Sequence, residues 1–215
     1  MYPKCDKMWG NNSYTVSYVV NSKRSFFSFK EIKHILLASA VLFFDFILLG
    51  KVANFFGGNI LYLVIFSFLA VVTGFLLHEM AHKIVAIKYG CYAEFRSNMF
   101  FLLLSIATSV MGFLFAAPGA VYITGSVTTR ENGEISIAGP LTNFGFAILF
   151  VVISMIPSNL KDLFIELATM NIFFVIFNMI PIHPLDGSKV IKWDIVKWGT
   201  LFGISILLFI YLIFN

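Results

Sequence analysis

The dominant feature of the sequence is a series of six long apolar runs, separated by short polar or Pro/Gly-containing breaks. A transmembrane α-helix needs about 20 mostly apolar residues, and each run is near that length. The runs cover approximately residues 35–50, 60–88, 99–117, 140–157, 163–180 and 198–214. Five or six membrane crossings are therefore possible within this chain.

Composition supports the same conclusion. Of the 215 residues, 59% are hydrophobic and 12% are charged, whereas soluble domains have about 45–50% apolar and about 25% charged residues. A bilayer must solvate much of this surface, so we predict an all-α polytopic protein of the cell membrane. The net charge of +4 comes without a basic stripe, and we expect no nucleic-acid partner. Two cysteines are too few for a disulfide framework.

The polar N-terminal part of the chain suggests a boundary. We expect residues 1–33 to form a cytoplasmic segment and residues 34–215 to form the membrane-embedded domain. Alternation of apolar and polar residues at 13–20 indicates a short strand. Ser28 and Glu31 have the spacing of a capping box before the first run.

Residues 128–139 allow two interpretations. Asn132-Gly133 is a strong hairpin signal, whereas Thr128 and Glu131 fit a second capping box that would start a helix. We favour the helix because the apolar run continues without another break.

The most specific motif is His78-Glu79-Met80-Ala81-His82, which matches H-E-x-x-H near the end of the second run. Residues four apart on a helix share a face, so both imidazoles can reach one metal ion. Glu79 is placed to accept a proton from an attacking water. The alternative is that these side chains only meet lipid headgroups. Ionisable groups at membrane depth are costly and usually functional, which favours the metal site.

Two histidines leave a catalytic zinc site one protein ligand short. Asp186 is a candidate because it follows Pro181 and Pro184, which interrupt a helix, and precedes Gly187, which permits a tight turn. Irregular backbone at membrane depth survives only where it lines protein or a wet cavity. From the residues alone, an ordinary loop with an exposed aspartate is an equally good interpretation.

Three stretches together resemble a known family. The pairing of residues 78–82 (HEMAH) with the distant residues 178–187 (NMIPIHPLDG) resembles the site-2 protease family of intramembrane zinc metalloproteases. Residues 138–143 (AGPLTN) resemble a third landmark of that family, and the three occur in the family's order. One departure is Ser188, which follows Gly187 where a second glycine is common.

The resemblance implies both a function and a set of residues. The function is hydrolysis of peptide bonds in or near transmembrane segments, as in regulated intramembrane proteolysis, with one Zn²⁺ per chain. The implied metal ligands are His78, His82 and Asp186. The implied catalytic residues are Glu79, as the base, and Asn178, as a polar group near the substrate carbonyl.

The position of the two motifs also predicts the topology. His82 and Asp186 can share an ion only if an even number of crossings separates them, so we predict that residues 99–117 enter the membrane and return. This topology places 13 of the 15 Lys and Arg residues on one side, leaving only Lys51 and Lys161 on the other. By the positive-inside rule, the active site then faces the cytoplasm. We therefore expect five transmembrane helices and one re-entrant element.

A transmembrane substrate must be locally unwound before its carbonyls are accessible. Residues 118–125 have β-type composition between helix breakers. We predict a short β segment near the active site, in which residues 120–124 form an edge strand that pairs with the opened substrate. The alternative is a plain connecting loop.

Other functions stay open from the sequence. Intramembrane His and Asp residues also mark ion pathways, so a metal or ion transporter is one alternative, although paired repeats are not seen. An inactive relative that binds transmembrane helices is another, and the intact Glu79 argues against it. Asp45 is expected near the outer end of its helix, within reach of water, as a candidate in substrate entry. His183 is a weaker candidate ligand that we expect to face headgroups.

Overall fold

The computed structural model describes residues 26–115 and 118–214. The N-terminal segment before residue 26, including the strand predicted at 13–20, lies outside the described residues. In chain order the elements are α1 (Phe29–Val52), α2 (Ile60–Ala70), a π-helical segment (Val71–Leu76), α3 (Leu77–Lys88), β1 (Tyr92–Ser97), α4 (Met99–Val110), β2 (Gly119–Thr124), α5 (Thr129–Ser154), α6 (Lys161–Met179), α7 (Gly187–Trp193) and α8 (Ile195–Phe214).

Five helices in this part of the chain are long and apolar enough to span a membrane. They are α1, the continuous helical stretch Ile60–Lys88, α5, α6 and α8. Many large apolar side chains on these helices are exposed, for example Phe44 and Leu207 at 64% and 69%, which suits contact with lipid. The prediction of an all-α polytopic membrane protein with five spans is confirmed.

The third apolar run forms a helix that is too short to span a membrane. Helix α4 has 12 residues and is about 18 Å long, against a hydrocarbon core of about 30 Å. The strand before it and the strand after it pair antiparallel, with Ser97 opposite Gly119. In addition, the Asn98 N–H donates to the Pro118 carbonyl over 2.9 Å. The chain thus comes back beside the point where it left, which is the path that the predicted re-entrant element requires.

Residues 129–139 are helical and Thr128 is the N-cap residue, so the hairpin interpretation is wrong. The Glu131 N–H donates to Thr128 Oγ1 over 3.2 Å, and the Thr128 N–H donates to the Glu131 carboxylate over 2.7 Å. This reciprocal capping box starts α5 and outweighs the turn preference of Asn-Gly.

The capping box predicted at Ser28 forms only in part. Ser28 Oγ accepts the Glu31 N–H over 3.0 Å, but the Glu31 carboxylate does not return to Ser28. It is buried, accepts Lys83 Nζ over 2.6 and 2.5 Å, and accepts the Phe95 N–H over 3.0 Å. A buried cation attracts the carboxylate more strongly than an exposed cap would. Glu31 therefore joins α1 to α3 and β1.

Candidate metal centre

Three side chains converge where α3 meets the segment that precedes α7. His78 and His82 lie one turn apart on α3, and Asp186 immediately precedes α7. The two Nε2 atoms are 3.0 Å apart, and Asp186 Oδ2 lies 3.5 Å from His78 Nε2 and 3.1 Å from His82 Nε2. Ligands at zinc bond lengths of about 2.0–2.1 Å in a tetrahedron are about 3.3 Å apart. The group therefore fits a tetrahedral metal ion with one position left open.

Two glycines leave the space that this group occupies. A Cβ at Gly139 on α5 would lie 2.4 Å from His82 Nε2 and 2.6 Å from His78 Nε2. A Cβ at Gly187 would lie 2.1 Å from the Met179 carbonyl oxygen, so the chain after α6 can fold back tightly enough to place Asp186. The two glycines thus let α5 and the segment after α6 approach α3.

Hydrogen bonds fix which nitrogen of each imidazole faces the centre. His82 Nδ1 lies 2.7 Å from the Ile135 carbonyl, which only accepts, so Nδ1 carries the proton. His78 Nδ1 lies 2.8 Å from Asn143 Oδ1, and Asn143 Nδ2 donates to the Gly74 carbonyl over 2.9 Å. Both Nε2 lone pairs are therefore free to bind a metal, and partners of this kind orient metal ligands in many sites.

Asp186 is held in its anionic form. Burial alone would raise its pKa, but positive charge on the His82 and His78 imidazoles, together with hydrogen bonds from them, holds the pKa of this carboxyl well below its usual range. A metal ion bound to the two Nε2 atoms would take the place of their protons and supply the positive charge instead. Lys189 Nζ adds a positive charge 3.5 Å from Oδ1. A deprotonated carboxylate is the form that binds a metal.

Glu79 and Asn178 line the same small cavity, whose volume is about 150 Å³, as the three candidate ligands. Within the described part of the chain, Glu79 Oε2 is buried and has no hydrogen-bond partner. Asn178 Nδ2 donates to the Phe174 carbonyl over 2.9 Å, which leaves its second N–H free for another acceptor. The structure brings all five predicted site residues together, and their individual roles stay predictions.

Strand β2 forms one wall of this cavity through residues that include Gly119, Val121 and Ile123. Hydrogen-bonded pairs alternate along an antiparallel ladder. On β1, the Phe95 and Ser97 N–H groups point away from β2, toward Glu31 and His34. Phe95 and Ser97 thus belong to non-hydrogen-bonded pairs, and their partners are Val121 and Gly119. The N–H and C=O groups of Val121 and Gly119 therefore point away from β1 as well. Among the described residues β2 pairs only with β1, so this edge is open, and the plain-loop alternative is wrong.

Two minor candidates lie elsewhere. His183 is exposed and is not part of the His78, His82 and Asp186 group. Asp45 is fully buried and accepts Ser109 Oγ over 3.3 Å, so the expectation that it reaches water is wrong. Helix α4, whose packing against α1 the sequence did not show, covers it.

The sequence interpretation assigned no role to Asn143, the Ile135 carbonyl or Gly139. Asn143 had a signal, because an amide in the interior of an apolar helix usually has a specific partner. The contribution of Ile135 is a backbone carbonyl, and that of Gly139 depends on how α5 crosses α3. Neither leaves a local sequence signal.

The fold and the site together define a polytopic membrane protein with a buried His-His-Asp metal group. The chain is 44% identical over 142 residues to MJ0611 of Methanocaldococcus jannaschii, provisionally named a zinc metalloprotease, with 64% of this chain and 74% of that protein covered. It is 30% identical over 128 residues to the zinc metalloprotease MJ0392 of the same archaeon, covering 58% and 33% of the two chains. A third relative is YwhC of Bacillus subtilis, also provisionally named a zinc metalloprotease, at 29% over 160 residues, covering 65% and 71%.

No family model and no solved structure matches the chain. On the strength of these relatives, the chain belongs to the site-2 protease family of zinc metalloproteases. The resemblance seen in the sequence is confirmed, and a protease is favoured over a transporter.

Proposed function

We propose that this protein is an intramembrane zinc metalloprotease that hydrolyses peptide bonds in or near transmembrane segments, as in regulated intramembrane proteolysis. The observation that carries the proposal is the depth of the metal group within a membrane-spanning helix. His78 lies ten residues before the end of the stretch Ile60–Lys88, or about 15 Å along the helix axis. A site at that depth is within reach of a substrate's own membrane segment.

Each residue of the site has a separate chemical role. His78, His82 and Asp186 would hold Zn²⁺, which as a Lewis acid polarises a carbonyl and lowers the pKa of water. Glu79, whose Oε2 is free of other partners, accepts the proton of the attacking water and returns it to the leaving amine. The free N–H of Asn178 donates to the oxygen on which negative charge develops.

The open edge of β2 supplies a place for the unwound substrate. A helix hydrogen-bonds its own carbonyls, so the scissile segment must become extended before attack. Pairing with residues 120–124 and Gly119 would satisfy its freed backbone groups at membrane depth. The backbone groups that point away from β1 belong to residues that line the metal cavity. A substrate strand paired with them would therefore run beside the metal.

The active site faces the cytoplasm in this proposal. The described Lys and Arg residues cluster at the end of the bundle that holds the site: Lys30, Lys33, Lys83, Lys88, Arg96, Arg130, Lys189, Lys192 and Lys197. The other end has Lys51 and Lys161. Such asymmetry normally marks the cytoplasmic side.

Cleavage of a purified peptide substrate with one transmembrane segment tests the proposed function. Zinc-loaded protein should cleave it, a chelator should abolish cleavage, and added zinc should restore it. Glu79→Gln should bind zinc in the wild-type stoichiometry yet be inactive, because Glu79 is not a ligand. Cleavage that persists in Glu79→Gln, or in protein shown to be zinc-free, would disprove the proposed mechanism.

A further inference from the structure

A second cavity of about 440 Å³ lies next to the metal cavity. Its walls are mostly apolar and include Phe101, Phe115, Tyr122, Phe177 and Ile180. The Phe115 ring meets the Phe177 ring edge-on at 5.4 Å between centroids. None of the described residues that line this cavity is Asp, Glu, Lys or Arg.

The two cavities lie next to each other on opposite faces of β2. Gly119, Ala120, Pro184 and Leu185 line both of them. Successive side chains of a strand point to opposite faces of a sheet. On β2, Val121 and Ile123 are partly buried on the inner face, whereas Tyr122 is exposed on the outer face and lines the second cavity.

A substrate strand paired with β2 must follow the same alternation. Its inner-face side chains point towards the bundle, and its outer-face side chains point towards the second cavity. An apolar cavity of about 150 Å³ is enough to hold benzene, so 440 Å³ accommodates a phenyl or indole ring. A lysine side chain would find no carboxylate among the lining residues and would lose its hydration.

We propose that the second cavity is a specificity subsite that accepts one bulky aromatic side chain of the substrate, within a few residues of the scissile bond. This inference rests on the proposed function, because it needs a substrate strand on the edge of β2. It goes further by naming the kind of side chain that the protein selects.

A series of guest peptides tests the subsite. The cleavage site of a parent transmembrane peptide is located by mass spectrometry, and Ala, Leu, Phe, Trp or Lys is then placed at each of the neighbouring positions. At one position, kcat/KM for Phe and Trp should exceed that for Ala by on the order of 10- to 100-fold, with Lys the poorest. Adjacent positions, whose side chains point to the other face, should show no aromatic preference.

Variants at Phe101 connect that preference to this cavity. Phe101→Ala enlarges it and should raise the ratio of Trp to Phe guest cleavage, whereas Phe101→Trp narrows it and should lower the ratio. Phe44→Ala is the matched control, because Phe44 on α1 is 64% exposed and does not line the cavity. It should leave the ratio unchanged. Thermal unfolding and zinc content establish that each variant is folded.

The outcomes separate the subsite from the protease activity. Equal cleavage of all guests, or equal effects of Phe101→Ala and Phe44→Ala on the ratio, would overturn the subsite and leave the proposed function intact. If zinc-loaded wild type cleaves no peptide, the proposed function fails. Binding of the same peptides to Glu79→Gln then decides the subsite separately: tighter binding of aromatic guests supports it, and uniform binding overturns it.

Discussion

A methyl group added at Gly139 should disrupt the metal group although no ligand residue is replaced. The Cβ would lie 2.4 Å from His82 Nε2 and 2.6 Å from His78 Nε2, whereas ordinary van der Waals contact begins at 3.4 Å. At least one imidazole would have to recede by about 1 Å, half the length of a Zn–N bond of about 2.0–2.1 Å. The corresponding ligand would be lost.

The loss of zinc affinity in Gly139→Ala can be estimated from changes that disturb a metal site less. Removing a partner that only orients a ligand typically costs 10- to 100-fold in metal affinity. Displacing a ligand should cost more, so we expect Gly139→Ala to weaken zinc binding by about 100-fold or more. Zinc affinity is measured by competition with a chelator of known affinity, and stoichiometry by elemental analysis.

Gly145→Ala on the same helix provides the control. A Cβ at Gly145 meets nothing within 4 Å, and alanine is the better helix former by up to about 1 kcal/mol. This variant should keep zinc affinity and be as stable as wild type or slightly more so. Wild-type zinc affinity in Gly139→Ala would show that His78 and His82 do not both bind the zinc ion.

Two further predictions concern the third ligand and the orientation. Asp186→Ala should weaken zinc binding and His183→Ala should not, because only Asp186 lies beside both imidazoles; equal affinities in competition titrations would exclude Asp186 as a ligand. Single cysteines at Ser97 and Arg130, in a chain without other cysteines, should react with an impermeant thiol reagent only from the cytoplasmic side. Labelling from opposite sides would refute the re-entrant topology, and labelling of both from outside would refute the orientation.

Much of the site could be predicted because its signals are local or follow from simple counting. The spacing of His78 and His82 places them on one helix face whatever the rest of the chain does. The number of crossings between His82 and Asp186 required residues 99–117 to return, and the length of α4 and the pairing of Ser97 with Gly119 agree.

The errors came from contacts between residues distant in sequence. Glu31 fits a local capping box, but its carboxylate instead accepts a hydrogen bond from Lys83, which is 52 residues away. Asp45 looked accessible from its position along α1, but Ser109 on α4, 64 residues away, covers it. In each case the competing partner comes from an element whose placement is set by tertiary packing, which local patterns do not report.

The buried Lys83–Glu31 pair joins the helix of the metal group to the strand pair that carries the open edge of β2. Lys83 follows His82 on α3, Glu31 accepts both Lys83 Nζ and the Phe95 N–H, and Phe95 lies opposite Val121 on β2. Replacing such a pair with apolar residues is often neutral or stabilising, so net stability is a weak reason for its presence. The geometry of the pair gives a better reason for its presence. Both side chains of the pair are buried, and Glu31 contacts Lys83 on α3 and the Phe95 N–H on β1 at the same time. The pair therefore holds β1, and through it the open edge of β2, in place relative to the helix that carries the histidines. In the proposed function, a substrate strand would then meet the metal at a position set by α3 rather than by the re-entrant helix α4.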